Sequence, residues 1–398
     1  MMNVLEVGNP KNIEHLMRQI KVDSYGIKIM LPKAITHLIK LSSVSNITAN
    51  ILKQEMLSLG ADVAIARGAL TGKTRKTDCL IMGNMAQFKR LNQKLKKQPF
   101  GLSSVADELS RGLNNYQKES FVVAAGKYKL NLGERTRIMG VLNITPDSFS
   151  GDGLYPRFSA EYVLRLAENM EREGADIIDI GGESSRPGAA RVTLKEELSR
   201  TIPLIKKLRA KIKVPISIDT YKPEVARQAL DNGAVIVNDI TGLGNGKMAK
   251  VIAEYGCAVV IMHMKGKPAN MQLNPQYRDV VVDIVAFLDK AIKHSLALGV
   301  KEDKIIIDPG IGFGKTLQHN LEILKRLSEF KILGRPILLG TSRKSFIGKI
   351  LNAQPQERVF GTVSSCVLAA QKGAHILRVH DVKEVRQALD VFDSVNKI

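Results

Sequence analysis

Eight short apolar runs in the last 280 residues of this 398-residue chain each end in a small cluster of polar residues and glycine, and they recur at a nearly regular interval. In order the clusters are Asn143-Ile144-Thr145-Pro146-Asp147, Gly181-Gly182-Glu183-Ser184-Ser185-Arg186, Asp219-Thr220, Asn238-Asp239, His263-Met264-Lys265, Asp308-Pro309-Gly310, Gly340-Thr341-Ser342-Arg343-Lys344 and Arg378-Val379-His380. From Asn143 to His380 is 237 positions over seven intervals, about 34 each, which matches a βα unit of roughly 30 residues or more. Eight such units predict a closed (β/α)8 TIM barrel. In that fold the C-terminal ends of the strands converge on one mouth, so eight clusters scattered through the sequence become one pocket.

The runs are continuously apolar, as parallel strands buried on both faces require. Examples are Ile177 to Ile180, Ile216 to Ile218, Val235 to Val237, Ala258 to Met262, Ile305 to Ile307 and Ile337 to Leu339. Between the runs the period becomes helical. Val163, Leu166, Ala167 and Met170 share one face between Ser159, a candidate N-cap, and Gly174; Pro223 opens another helix that stops at Gly233. A barrel needs roughly 250 residues, so the chain has room for a second module. Residues 1–118 read as a smaller α/β N-terminal domain and residues 119–398 as the barrel. The first domain has a helical stretch at Ala49–Leu59, apolar runs at Val63–Ala66 and Leu80–Met82, and a basic helix at Met85–Lys97; the polar stretch Asn114–Glu119 reads as the linker. Phe121–Ala124 and Lys127–Leu132 read as a hairpin that closes the barrel floor.

Composition excludes several function classes. Neither a signal sequence nor a run of about 18 apolar residues is present, so no membrane partner is expected. Cys79, Cys257 and Cys366 lie far apart without C-x-x-C spacing, which predicts buried, reduced thiols in a cytoplasmic protein. The net charge of +20 is shared evenly, with 18 basic against 8 acidic residues in 1–118 and 41 against 31 in the rest. With no Trp and no nucleic-acid motif in the sequence, this charge is read as a solvated lysine-rich surface suited at most to small anionic substrates, not as a nucleic-acid footprint.

Familiar catalytic motifs fail on inspection. Gly314-Lys315-Thr316 lacks the leading glycine of a phosphate loop, where Pro309 stands instead. Gly340-Thr341-Ser342-Arg343-Lys344 lacks the closing glycine of a nucleophile elbow, and no H-E-x-x-H pair occurs. What remains is a set of polar groups at strand ends. Asp219, Asn238 and Asp308 place carboxylates and an amide where they can meet a flat heterocycle rich in N–H donors, such as an amino-oxo pyrimidine edge. Each alone could equally cap the following helix; three at one mouth weaken that reading. Asn143, Arg378 and His380 form a second set suited to a diphosphate, since the first and eighth strands of a closed barrel are neighbours. An Arg378 simply paired with a nearby carboxylate such as Asp381 is the alternative. Magnesium would suit a diphosphate, keeping most of its waters and taking few protein ligands. Thr145–Gly153 and Ser184–Ala189 are polar, Gly- and Pro-rich stretches long enough to fold over a substrate.

These blocks, Met139 to Ser150, Gly181 to Gly188, Ile218-Asp219-Thr220, Asn238-Asp239-Ile240, Asp308 to Lys315, Ser342 to Ser345 and Arg378-Val379-His380, resemble the dihydropteroate synthase family in order and in content. The resemblance implies an enzyme that joins p-aminobenzoate to 6-hydroxymethyl-7,8-dihydropterin diphosphate, releasing diphosphate and 7,8-dihydropteroate for folate biosynthesis, and that is a sulfonamide target. It implies that Asp219, Asn238, Asp308 and Lys344 hold the pterin, with Asn143 contacting magnesium and diphosphate beside Arg378 and His380. Ser185, Arg186 and Pro187 would close over p-aminobenzoate with Asp147 and Phe149, and Ser345 would lie near its carboxylate. Asp147, Ser185, Arg186 and Lys344 would then act in catalysis, with Mg2+ as cofactor and a homodimer as the assembly. The chain has Ser185 where the family usually has Thr, and its leading 118 residues carry no recognised activity. Three rivals remain at this point: a barrel that passes a methyl group from a folate to a corrinoid protein, which has no use for a diphosphate pocket, a non-catalytic basic binding module, and a Schiff-base aldolase that uses Lys344.

Overall fold

A computed structural model of the chain describes residues 2–5, 9–145, 159–184, 191–268 and 270–396. It divides into two compact units, Met1–Asn114 and Asn115–Ile398.

The first unit is built on a three-stranded antiparallel sheet of β1 (Thr36–Ser45), β2 (Asp62–Ile65) and β3 (Lys76–Asn84), in the order β1-β3-β2. Period-two alternation puts Cys79 and Ile81 of β3 on the buried face. There they meet Leu52 and Met56 of helix Asn46–Ser58 and Phe88 and Leu91 of helix Met85–Leu95. The second helix begins on a capping box, in which Asn84 and Gln87 satisfy each other's backbone amides. Strand β1 and helix Pro10–Gln19 escape the sequence pattern. The stretch read as a linker is instead the end of helix Leu102–Gln117, whose Leu102, Ala106, Leu109 and Leu113 keep the helical period.

In the second unit, β4 (Phe121–Ala125) and β5 (Tyr128–Leu132) form the expected hairpin. Eight parallel strands follow: β6 (Arg137–Asn143), β7 (Ile177–Gly181), β8 (Ile216–Asp219), β9 (Ile236–Asp239), β10 (Ala258–Met262), β11 (Ile305–Asp308), β12 (Leu338–Leu339) and β13 (Ile376–Val379). They pair in the order β11-β10-β9-β8-β7-β6-β13-β12. A bridge from Ile307 to Ile337, with the Ile307 amide donating to Pro336 at 3.0 Å, closes the ring. The (β/α)8 barrel is therefore complete. The helices form where the periodicity places them. Ala160–Arg172 starts on Ser159, whose hydroxyl accepts from the Tyr162 amide, and Pro223–Asn232 stops at Gly233 in a positive-φ conformation.

Two cores follow from the strand parity. Ile138, Ile178, Ile180, Ile216, Ile218, Val237, Ile307, Leu377 and Val379 face the helices. Their neighbours Met139, Ile177, Ile236, Val260, Ile306, Leu338 and Ile376 fill the barrel interior. The hairpin plugs its floor with Val123, Ala125, Leu130 and Leu132. Nothing polar is needed at the floor. At the other end the same parity turns Asn143, Asp179, Gly181, Asp219, Asn238, Asp308 and Arg378 inward.

Candidate active site

Strand register sets the rim. Gly181 pairs with Asn143 on one side and with Asp219 on the other, and Asp219 pairs with Asn238. A side chain at Gly181 would lie 3.5 Å from Asn143 Oδ1 and 3.7 Å from Asp219 Cβ. Those are ordinary contact distances, so the two polar side chains flank the strand end closely on either side of Gly181.

The sequence sorted Asp219 into a ring-binding set and Arg378 into an anion-binding set. The structure joins them: Arg378 Nε donates to Asp179 Oδ2 at 2.6 Å, and a terminal nitrogen donates to Asp219 Oδ2 at 2.8 Å. Arg378 thus bridges two carboxylates on β7 and β8 across the barrel interior. Asp381, the sequence's candidate partner for Arg378, is instead gripped by Arg343. Burial works to lower the Arg378 pKa, but Asp179 and Asp219 outweigh it and hold the guanidinium above its usual range. Burial pushes the Asp219 carboxyl up, Arg378 opposes this, and the neighbouring acids Asp179, Glu197 and Asp239 add to the rise.

Asp308 ends β11 almost wholly buried, at 5% exposure. Its Oδ1 accepts from the Gly310 amide at 2.7 Å. Burial raises its pKa to about 6, although Gly310, Lys344, Lys315 and Arg378 all favour the ionised form. Gly310 can make this tight turn because its φ is +72° and a Cβ there would sit 2.0 Å from the His263 carbonyl. Lys344, the residue before helix Ser345–Leu351, donates to the Ile311 carbonyl at 2.9 Å. Its ammonium lies 4.2 Å above the Phe313 ring. Burial lowers the Lys344 pKa to about 8 despite the attraction of Asp308. Asp308, Lys344, Asp219 and Arg378 therefore act on one another at a single mouth. Ile240, Met262, Met271 and Phe313 line that mouth with apolar surface, and a flat ring needs such walls.

His380 lies beyond the end of β13. Its amide donates to Ser342 Oγ at 3.2 Å, and its Nδ1 is 3.0 Å from the same oxygen. With Oγ already accepting from the amide, the hydroxyl can donate to Nδ1 and leave Nε2 to carry the ring proton. Ser345 is exposed at the first turn of its helix. Asp147, Phe149, Ser185, Arg186 and Pro187 lie outside the described residues. Their flanks, Asn143 and Thr145 on one side and Glu183 on the other, are at the rim.

Sequence reasoning missed three features. Asp179 is fully buried in the middle of β7; an acid inside an apolar run was the available signal. Lys222 donates to Glu183, to Glu197 and, at 2.7 Å, to the Val192 carbonyl. It thereby ties the stretch after β7 to the stretch after β8, and Glu197 also accepts from Thr220 at 2.7 Å. Lys315 is buried, with its Nζ 2.9 Å from both His263 Nδ1 and the Phe313 carbonyl. Burial drives its pKa well down and that of His263 to about 2. That lysine braces the Phe313 loop from below and is not the end of a phosphate loop. The cysteines are free and buried.

No group of three or more His, Cys, Asp or Glu side chains that could hold a metal ion occurs among the described residues. The side chain that the family resemblance assigns to a metal, Asn143, offers a single neutral oxygen at the rim. That donor set suits an ion that arrives with a phosphate ligand and not one caged by protein.

A family model for pterin binding enzymes matches residues 139–380. The dihydropteroate synthase of Synechocystis is 46% identical over 272 residues, covering 68% of this chain and 93% of that protein. A probable bifunctional folylpolyglutamate synthase/dihydropteroate synthase from Halobacterium salinarum is 41% identical over 369 residues, or 93% of this chain. That match must take in most of the first unit, yet the chain spans only 44% of the Halobacterium protein's length. Among solved structures, Yersinia pestis dihydropteroate synthase in a sulfonamide drug complex superposes with a TM-score of 0.68 at 42% identity, covering 70% of this chain and all of that one.

Proposed function

The chain belongs to the pterin-binding enzyme family, with dihydropteroate synthases as its relatives along the whole barrel, and from that premise we propose how its residues carry the reaction. The enzyme transfers a pterinylmethyl group: p-aminobenzoate attacks the methylene carbon of 6-hydroxymethyl-7,8-dihydropterin diphosphate, the carbon–oxygen bond to diphosphate breaks, and the amine proton leaves to solvent. The observation that carries this reading is the meeting of Asp219, Asn238 and Asp308 with Lys344 and Arg378 at one mouth lined by Met262 and Phe313.

Asp308 and Asn238 offer acceptors to the N–H edge of the pterin, and Lys344 offers a donor to its oxo side. The Arg378 guanidinium, fixed by Asp179 and Asp219, lies beside the ring and the departing diphosphate. His380, whose Nδ1 is held by Ser342, offers its ring to the anion. Asn143 would supply one oxygen to a Mg2+ arriving with the diphosphate, and the ion would add positive charge to the leaving group. An aromatic amine is neutral at pH 7, so no strong base is required. Positioning and electrostatic help to the leaving group carry the rate. Ser185, Arg186, Pro187, Asp147, Phe149 and Ser345 are the residues proposed for p-aminobenzoate, and substitutions in the first five should lower turnover more than pterin affinity.

The rival methyltransferase reading is not favoured: the Synechocystis, Escherichia coli and Clostridium beijerinckii relatives are each named dihydropteroate synthase. Glutamylation, the other activity in the Halobacterium protein's name, is not proposed for this chain. A homodimer and a cytoplasmic location belong to the proposal; buried free cysteines support the second, and no helix among the described residues is long and apolar enough to cross a membrane. The test is a coupled assay of diphosphate release with both substrates, with and without Mg2+, in the parent, Asp308→Ala and Lys344→Ala, with a sulfonamide as a competitor of p-aminobenzoate. Unchanged activity in both variants removes the site assignment.

A further inference from the structure

Asp179 occupies a position where a barrel strand ordinarily buries an aliphatic side chain. Ile178 and Ile180 on either side face the helices, and Ile177 below it belongs to the barrel interior. Its carboxylate is completely buried, and Oδ1 has no hydrogen-bond partner. A buried charge in such surroundings is costly unless its partners use it. Two do, both at Oδ2: Arg378 Nε at 2.6 Å and Asn238 Nδ2 at 3.2 Å.

Each contact fixes an orientation that the strand alone leaves open. The Asn238 side-chain amide can sit either way round; with Nδ2 donating to Asp179, its carbonyl oxygen is turned away as an acceptor. The Arg378 guanidinium is planar, and anchoring Nε on Asp179 while a terminal nitrogen meets Asp219 sets that plane. We propose that Asp179 is the positioning residue of the pterin site: from beneath the binding groups it decides that Asn238 presents an acceptor and how the Arg378 plane lies, without touching substrate itself. This rests on the reading of the mouth as a pterin site.

Calorimetric titration of the full chain with 6-hydroxymethyl-7,8-dihydropterin diphosphate and Mg2+ tests it. Asp179→Asn keeps the size but replaces the shared carboxylate by an amide, and should weaken the pterin by about tenfold or more. The KM for p-aminobenzoate should stay within about twofold. Asn238→Asp sets two carboxylates face to face and should also weaken binding. The double variant D179N/N238D restores a donor–acceptor pair with the roles exchanged, and should recover about tenfold of the affinity lost in N238D. A residue that merely supports the strand would degrade both substrates together and show no recovery. D179N binding within about twofold of the parent, or a double variant no tighter than N238D, overturns the inference. If D179N does not fold, the parent decides. The Asn238 side-chain NH2 signals, assigned by their loss in Asn238→Ala, should be protected from solvent exchange in the ligand-free protein, and rapid exchange overturns the proposal. A parent that binds no pterin overturns the reading of the site; a parent that binds beside an equally tight D179N overturns this inference alone.

Discussion

Asp308 offers a direct measurement of what the ligand-free barrel sacrifices to keep its site. Burial raises this carboxyl from 3.8 to about 6, which corresponds to about 3 kcal/mol at about 1.4 kcal/mol per pH unit. The folded chain holds the proton more tightly than the unfolded chain does. Stability should therefore be free of the penalty below about pH 4, fall between about 4 and 6, and carry the full cost above 6. Asp308→Asn removes the charge but keeps an oxygen that can accept from the Gly310 amide, now at 2.7 Å from Oδ1. At pH 8 the variant should be more stable by about 1–3 kcal/mol, the lower figure allowing for an incompletely satisfied amide. That is roughly 2–4 °C in Tm for each kcal/mol in a domain of this size. At pH 4 the gain should be gone, the two proteins melting together or the variant lower by the cost of the unsatisfied amide. Thermal denaturation of the full chain followed by circular dichroism at the two pH values reads the difference, while calorimetry should show pterin affinity falling about tenfold or more because an NH2 now faces N–H donors. A Tm difference that is the same at both pH values, or a variant less stable at pH 8, would refute the assignment of a buried, reluctantly ionised carboxylate.

Burial lowers Lys344 to about 8, so kcat/KM for the pterin diphosphate should decline above pH 8 as the ammonium is lost, and Lys344→Arg should carry that decline out of the measurable range; a limb that stays in place counts against the donor role. Lys222→Met leaves Glu197, at 1% exposure, and Glu183 without their shared cation. It should cost about 3 kcal/mol in urea denaturation, and a loss under about 1 kcal/mol would show the pair to be dispensable. Gly310→Ala forces a Cβ into the His263 carbonyl at a φ of +72°, and should lower stability by about 2 kcal/mol or more while weakening pterin binding through Asp308; an unchanged Tm would mean that the loop relaxes freely.

Most of the barrel is legible because one rule, burial on both faces, makes the strands apolar runs ending at the rim, broken only by Asp179 in β7 and Ser217 in β8 among those whose apolar residues the sequence marks out. Asn143, Asp219, Asn238 and Asp308 can be read from that rule as the first inward positions beyond the apolar core. The failures have a common cause. Side-chain reach is not encoded by position along a strand, so position groups an arginine on β13 with its neighbour His380, whereas its length carries it across the interior to Asp179 and Asp219. Lys222 and Lys315 each act through acceptors contributed by other segments, and no spacing rule anticipates such contacts. Strand β1 alternates intermediate with exposed positions along most of its length. Its Thr, His, Lys and Ser residues dilute the apolar signal that a doubly buried strand would have given.

Charge placement inside the mouth bears on what the substrate must bring. Arg378 faces two carboxylates, and Lys344 faces Asp308, so the inward-turned acids and cations largely offset one another before any ligand enters. A neutral pterin ring can therefore enter this mouth without disturbing its balance, exchanging hydrogen bonds for those the groups make with water. A diphosphate cannot. Its added negative charge meets an arginine already engaged, with the neutral side chains of Asn143 and His380 beside it. On physical grounds the leaving group must then be neutralised from outside the described cluster. The proposed Mg2+ and Arg186 fit that requirement, while Asp179 keeps Arg378 in a plane from which it can share its attraction between the ring and the departing anion.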